Sequence, residues 1–265
     1  MTEHSERLDE FLAFSERLAD AARAVIVPHF RADHVIEDKP TTSSAEQPVT
    51  RADREAEQAI RDLIIETYPE HGILGEELGE HNPGADYTWV IDPIDGTRAF
   101  IAGFTVFGTL IALCHRGTPI IGVLDQPVLK ERFVGSARGA TLNGAPIHVR
   151  ACPRLDQAVW ALTDPRMMDT PARRAVYERL LRETRFPQFG GNCYAYAMLA
   201  AGVIDVVTES DLKPWDVAAL APIVEGAGGV ITGWDGGPAA NSGHLLACGD
   251  PALHEELLPL FKGAA

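Results

Sequence analysis

No apolar run in this 265-residue chain approaches the about 20 residues that a membrane-spanning helix needs. The longest candidate, 106–113, is short and β-prone. The N-terminal stretch Thr2-Glu3-His4-Ser5-Glu6-Arg7 is polar and has no leader-like apolar segment, so a soluble, cytoplasmic protein is expected. Cysteine is scarce. Cys114, Cys152, Cys193 and Cys248 stand far apart with no C-x-x-C pair, which argues against a disulfide framework and against structural zinc. Positive charge is also short: 23 Lys and Arg face 38 Asp and Glu, a formal charge of −15. That balance argues against nucleic acid or an anionic membrane as partner. It suits a cationic substrate or a site that gathers divalent metal. Internal repeats and low-complexity tracts are absent.

The chain is 46% hydrophobic, ample for a large core in one α/β unit or two coupled halves. Helical spacing of Leu8, Phe11, Leu12, Leu18, Ala22, Val25 and Ile26 predicts a long helix over 3–30, frayed at Pro28. Residues 33–49 read as a loose hairpin with a mobile tip at 40–47, which holds Lys39 close by. A second helix starts at Thr50 and turns Ala59, Ile60, Leu63 and Ile64 inward. Strands dominate from 88 to 150 (88–92, 105–114, 118–124, 131–135 and 145–149), with a hairpin turn at Asn143-Gly144. Beyond Pro153 the pattern alternates: strands 157–162, 186–189, 204–208, 229–232 and 244–248, with helices 171–184, 192–202, 214–227 and 252–262. The expected division is an N-terminal half, 1–152, and a C-terminal half, 153–265, sharing one interface within a single unit.

The chemistry concentrates in residues 89–100, Trp-Val-Ile-Asp-Pro-Ile-Asp-Gly-Thr-Arg-Ala-Phe. A β-prone run delivers Asp92 at its end, Pro93 stops ladder donation, and Asp95 follows before Gly96-Thr97 opens a helix. Taken alone, Asp-Pro-x-Asp-Gly is a common turn. Two carboxylates on a stiff turn beside outward N–H groups also suit a hard cation and a phosphate group together. The whole string resembles the hallmark W-x-x-D-P-I/L-D-G-T of the inositol monophosphatase-like family of Mg²⁺-dependent, lithium-sensitive phosphatases. Trp215-Asp216-Val217-Ala218 and Gly75-Glu76-Glu77 are similar to two further elements of that family, in its order.

The resemblance implies a layered αβαβα sandwich of the inositol monophosphatase/fructose-1,6-bisphosphatase type. It also implies two or three Mg²⁺ ions, a homodimer and hydrolysis of a small phosphate monoester by water without a covalent intermediate. Matched position by position, the metal ligands are Glu76, Asp92, the carbonyl of Ile94, Asp95 and Asp216. Asp216 also sits where an acid caps a helix start, after Lys213-Pro214, and the two roles are compatible. Val49-Thr50-Arg51-Ala52-Asp53 has capping-box spacing, and in the family its aspartate bonds the D-G-T threonine. Asp53, Thr97 and Glu76 are accordingly the residues expected to orient the attacking water. The phosphate is expected at the N–H groups of Gly96 and Thr97, between Asp92 and Asp216, with Arg98 reaching the phosphate or bracing a dimer. Glu77 reads as structural and Cys193 as a small buried thiol.

Downstream, Asp95-Gly96-Thr97-Arg98-Ala99-Phe100-Ile101 and Phe107-Gly108-Thr109-Leu110-Ile111 look like the histidinol-phosphate phosphatase branch. So do Phe189-Gly190-Gly191-Asn192-Cys193-Tyr194 and Leu212-Lys213-Pro214-Trp215-Asp216. Asn192 departs from the branch, which has Asp there. L-Histidinol phosphate carries an ammonium group, and Glu209 matches the family position that contacts the substrate's alcohol portion; Gly191 and Asn192 complete the expected substrate contacts. Asp205 and Asp211 read either as supporting acids or as solvated loop acids. The alternatives are an inositol-1-phosphate or broad sugar-phosphate phosphatase and, remotely, an inactive metal-binding relative.

Overall fold

The computed structural model describes residues 3–32, 37–38 and 48–264, so the 40–47 tip and Lys39 lie outside the described residues. Helices α1 (Glu3–His29) and α2 (Arg51–Thr67) flank a two-residue strand pair, β1 (Glu37–Asp38) and β2 (Pro48–Val49). Strands β3 (Gly72–Gly75), β4 (Gly79–His81) and β5 (Tyr87–Asp95) lead to the short helix α3 (Thr97–Ile101). Then follow β6 (Gly108–His115), β7 (Thr118–Gln126), β8 (Glu131–Ser136), β9 (Gly139–Leu142) and β10 (Ala145–Ile147). The second part runs β11 (Val159–Leu162), α4 (Pro171–Glu183), β12 (Phe186–Phe189), α5 (Asn192–Ala200), β13 (Val206–Glu209), α6 (Pro214–Val217), α7 (Leu220–Gly226), β14 (Val230–Gly233), β15 (Leu245–Cys248) and α8 (Pro251–Lys262).

Two sheets organise these elements. The larger has the order β10-β9-β8-β7-β6-β5-β3-β4, antiparallel except where β3 runs parallel to β5. The smaller has the order β12-β11-β13-β15-β14, parallel over its first three strands. Side chains alternate across each pleat and so sort into layers. From β5, Trp89 and Ile91 face α1 and α2, whose Phe11, Phe14, Leu18, Ala22, Ile60 and Ile64 complete that core. Val90, Leu110, Leu124 and Phe133 face the opposite way, onto α5 and α7, which also receive Val159, Ala161 and Val207 of the small sheet. Trp160, Leu162, Val206 and Leu246 point outward to α4 and α8. The result is the expected αβαβα order.

Differences from the sequence reading are local. On α2 the buried face is Ala52, Asp53, Ala56, Glu57, Ile60, Arg61 and Ile64, with Ala59 and Leu63 only half-buried. Short β3, β4 and β9, each bordered by glycine, were too brief to show a period. Helix 214–227 is broken into α6 and α7, because Pro222 has no N–H to bond the carbonyl of Ala218. Asn143 and Gly144, at φ of 49° and 79°, make the two-residue turn joining β9 to β10.

Candidate active site

Strand β5 does not stop at Pro93. It continues to Asp95 through an irregular register against β6, and Thr109 Oγ1 donates to the Pro93 carbonyl at 2.8 Å. That kink places Asp92 and Asp95 at one end of the central strand. Asp92 Oδ1 accepts the Ile94 N–H (3.0 Å), and Asp95 Oδ2 accepts the Cys193 N–H at the start of α5 (2.7 Å). Asp216 comes from α6, where Oδ2 accepts the Lys213 N–H at 2.7 Å. It therefore caps its helix and also joins the other two: one oxygen each of Asp92, Asp95 and Asp216 lies within 4.8 Å of the others.

Three carboxylates so close repel one another. Burial, followed by the charges of neighbouring acids, pushes Asp92 and Asp216 well above the usual carboxylate range; burial also raises Asp95, against the lowering effect of its bonds from Cys193. A hard dication would return all three to their charged form. An oxygen-only donor set at a buried end of a sheet fits Mg²⁺. Glu76 follows β3, whose parallel pairing with β5 is extended by the Glu76 N–H donating to the Ile91 carbonyl (3.2 Å). Its turn is held from beneath: Glu57 of α2 accepts the N–H groups of Glu77 (2.7 Å) and Leu78 (3.1 Å) and pairs with Arg61. Gly75 is required there, since a Cβ would lie 1.9 Å from Glu57 Oε1. A lone glutamate inside a helical pattern gave no sign of this duty.

Asp53 is almost fully buried at the start of α2. Its Oδ2 accepts both the N–H (2.8 Å) and the hydroxyl (2.6 Å) of Thr50, and burial raises its pKa. Thr97 Oγ1 lies 3.0 Å from the Ile94 carbonyl and 3.4 Å from Asp53 Oδ1. Gly96, at φ 86°, starts α3, and a Cβ there would meet the Asn192 side chain at 2.9 Å. Asn192 itself donates through Nδ2 to the Val106 carbonyl (2.7 Å), while its N–H donates to Thr163 Oγ1 (2.8 Å). A carboxylate at this position could not donate to Val106, which gives Asn a structural reason to stand where the branch has Asp.

Glu76, Asp92, Ile94, Asp95, Gly96, Thr97, Arg98, Asn192 and Asp216, among others, line one cavity of about 820 Å³, while Asp53 lies behind that wall and reaches it through Thr97. Two expected contacts are not in its wall. Gly191 is not a lining residue, and Glu209, 4% exposed at the end of β13, lies against Thr163 and Tyr196, where burial pushes it up to about 7. Asp205 is buried too, paired with Arg150 (2.6 Å) and accepting the Val159 N–H (2.7 Å), so it joins β11 to β13. The wall includes residues that no sequence motif indicated: Phe104, Thr163, Asp164, Arg166 and Gln188. The four cysteines are all buried free thiols.

Residues 7–264 match the inositol monophosphatase family. The chain belongs to that family. It is 46% identical over 263 residues to "Bifunctional phosphatase IMPL2, chloroplastic" of Arabidopsis thaliana, covering 95% of this chain and 75% of the relative. It is 36% identical over 258 residues to the histidinol-phosphatase of Streptomyces coelicolor, covering 93% and 95% of the two chains. The structure of an inositol monophosphatase from Zymomonas mobilis superposes with a TM-score of 0.86 at 42% identity, covering 99% of this chain and 100% of the other. Inositol monophosphatase family enzymes use Mg²⁺, in keeping with the acidic cluster, and this family member is a phosphatase. Among the described residues no helix is long and apolar enough to cross a membrane.

Proposed function

We propose that this phosphatase hydrolyses L-histidinol phosphate to L-histidinol and phosphate, as a cytoplasmic homodimer serving histidine biosynthesis. The reaction class rests on one observation, the convergence of Asp92, Asp95 and Asp216 at the base of a cavity that takes residues from both halves. Full-length likeness to a histidinol-phosphatase supports the substrate. Residues 1–152 and 153–265 act as one unit on this reading.

Two or three Mg²⁺ ions would be held by Glu76, Asp92, the Ile94 carbonyl, Asp95 and Asp216. When bound, Mg²⁺ polarises the phosphoryl group and activates water. The chain's own residues do the positioning. Thr97 has one hydroxyl proton, which goes to the Ile94 carbonyl or to Asp53, so its lone pairs are left to accept from water. Asp53 is immobilised by Thr50 and sets the direction of that hydroxyl. Glu76, on the turn held by Glu57, completes the water's surroundings. The amides of Gly96 and Thr97, with Arg98 at the same wall, receive the phosphate oxygens.

A second reading, an inositol-1-phosphate phosphatase, draws support from the Zymomonas mobilis likeness. Initial rates of phosphate release with Mg²⁺, on one preparation with each ester, separate the two. A kcat/KM for L-histidinol phosphate at least about tenfold higher, equivalent to ~1.4 kcal/mol of transition-state preference, is expected. Equal or reversed preference would leave the phosphatase and remove the substrate assignment.

A further inference from the structure

The cavity is wider than its acidic base, and its far wall carries a carboxylate that the hydrolytic machinery does not use. Asp211 lies just past β13, two residues beyond the enclosed Glu209. Its side chain is 64% exposed and borders the cavity, and its backbone is left-handed at φ 64°. Asp enters that region more readily than most side chains, and its surroundings hold it there. Here they do so from three sides. The Asp211 N–H donates to His244 Nδ1 (3.2 Å), Arg173 Nη1 donates to Oδ2 (3.0 Å), and the single proton of the Ser210 hydroxyl is shared between the same oxygen (2.9 Å) and the Met167 carbonyl (2.7 Å). His244 and Arg173 are themselves fixed against the buried ring of Trp234, the first stacked at 4.9 Å between centroids, the second with its guanidinium 5.4 Å from the ring centre.

All the side-chain bonds to this carboxylate fall on Oδ2, and among the described residues Oδ1 has no partner. The other carboxylate of that wall, Asp164, is different. Both of its oxygens accept from Arg166. Arg173 also faces Asp169 at 3.5 Å, so its charge is divided between two acids. Asp211 thus lines the cavity with one carboxylate oxygen held and the other without a partner among the described residues.

We propose that Asp211 is the specificity-determining residue for a cationic alcohol group, binding the ammonium of the leaving portion through Oδ1, with Arg173 and His244 as its positioning residues. The proposal rests on the substrate reading above and names the side chain that enforces it.

The test pairs two changes, Asp211→Asn in the protein and N-acetylation of the histidinol phosphate amine, which removes its charge. Asn tolerates the left-handed region, so the backbone is kept. In the native enzyme, acetylation should lower kcat/KM by about 10- to 100-fold, the worth of one charge-assisted contact. In Asp211→Asn the same acetylation should change it less than about threefold, the contact being already lost. Asp211→Glu should recover part of the native discrimination, and a native thermal melt of each variant guards against misfolding. Equal effects of acetylation in the native enzyme and in Asp211→Asn would overturn the role of Asp211 while leaving the substrate. A native enzyme indifferent to acetylation would overturn the ammonium contact itself. No preference of the native enzyme for histidinol phosphate over inositol-1-phosphate would overturn both.

Discussion

At the scale of single residues, several side chains here carry two duties. Asp216 caps α6 and points an oxygen into the carboxylate cluster; Asp53 closes the start of α2 and bonds Thr97. Asp95 accepts the Cys193 N–H and so ties the carboxylate cluster to α5. Asp95→Asn keeps the shape and the N–H acceptor but removes one charge from the donor set. Phosphate release at saturating Mg²⁺ should fall by ~1,000-fold, since a metal's charge stabilisation is worth several kcal/mol. The far-ultraviolet spectrum should stay native. Unchanged turnover in a folded Asp95→Asn protein would dismiss the cluster as the reacting centre.

At the scale of elements, the height of α6 and α7 above the large sheet is set by glycine. Gly122 of β7 and Gly135 of β8 lie directly under the connection and α7. A Cβ at 122 would come within 2.0 Å of the Ala219 carbonyl oxygen, and one at 135 within 2.3 Å of Ile223 Cα. Both obstacles are backbone, so no rotamer change relieves them. Gly135→Ala should push α7 outward, at a cost of about 1–3 kcal/mol measured by urea unfolding. Because α6 precedes α7 and bears Asp216, the same variant should require more Mg²⁺ for half-maximal activity. A stability loss with an unaltered Mg²⁺ requirement would show that α6 holds its place independently of α7.

At the scale of the whole molecule, three histidines tie separate layers together. His71 accepts from Trp89 Nε1 (3.1 Å), His254 pairs with Thr232 Oγ1 (2.9 Å), and His244 supports Asp211. Burial pulls all three below the ordinary value of 6.5. The unfolded chain therefore takes up protons near pH 6.5 that the native protein refuses. The stability these neutral rings contribute is present above about pH 6.5 and is lost as pH falls below it. The Tm should drop on acidification from pH 7 to 5.5. His254→Gln, which keeps a partner for Thr232 and cannot titrate, should shrink that pH dependence; an unchanged slope would assign the acid sensitivity to other groups.

The order of elements, the turn that carries Asp92 and Asp95, and the family were legible in the chain itself, because each depends on neighbours close in sequence. Alternation marks a strand, helical spacing marks α1, and the run 89–100 puts Asp92 and Asp95 on one short turn. Three things were not legible. Glu57 under Gly75 joins residues 18 positions apart through a contact with no periodic signature. Glu209 and Asp211, two positions apart, have surroundings that the sequence does not distinguish: Glu209 is enclosed at the end of β13, and Asp211 borders the cavity. Asn192 is held by its side-chain bond to the Val106 carbonyl, 86 positions away in the chain. In each case the deciding quantity is which groups from distant segments share a buried space, and that follows only from the packing of the two sheets across α5 and α7.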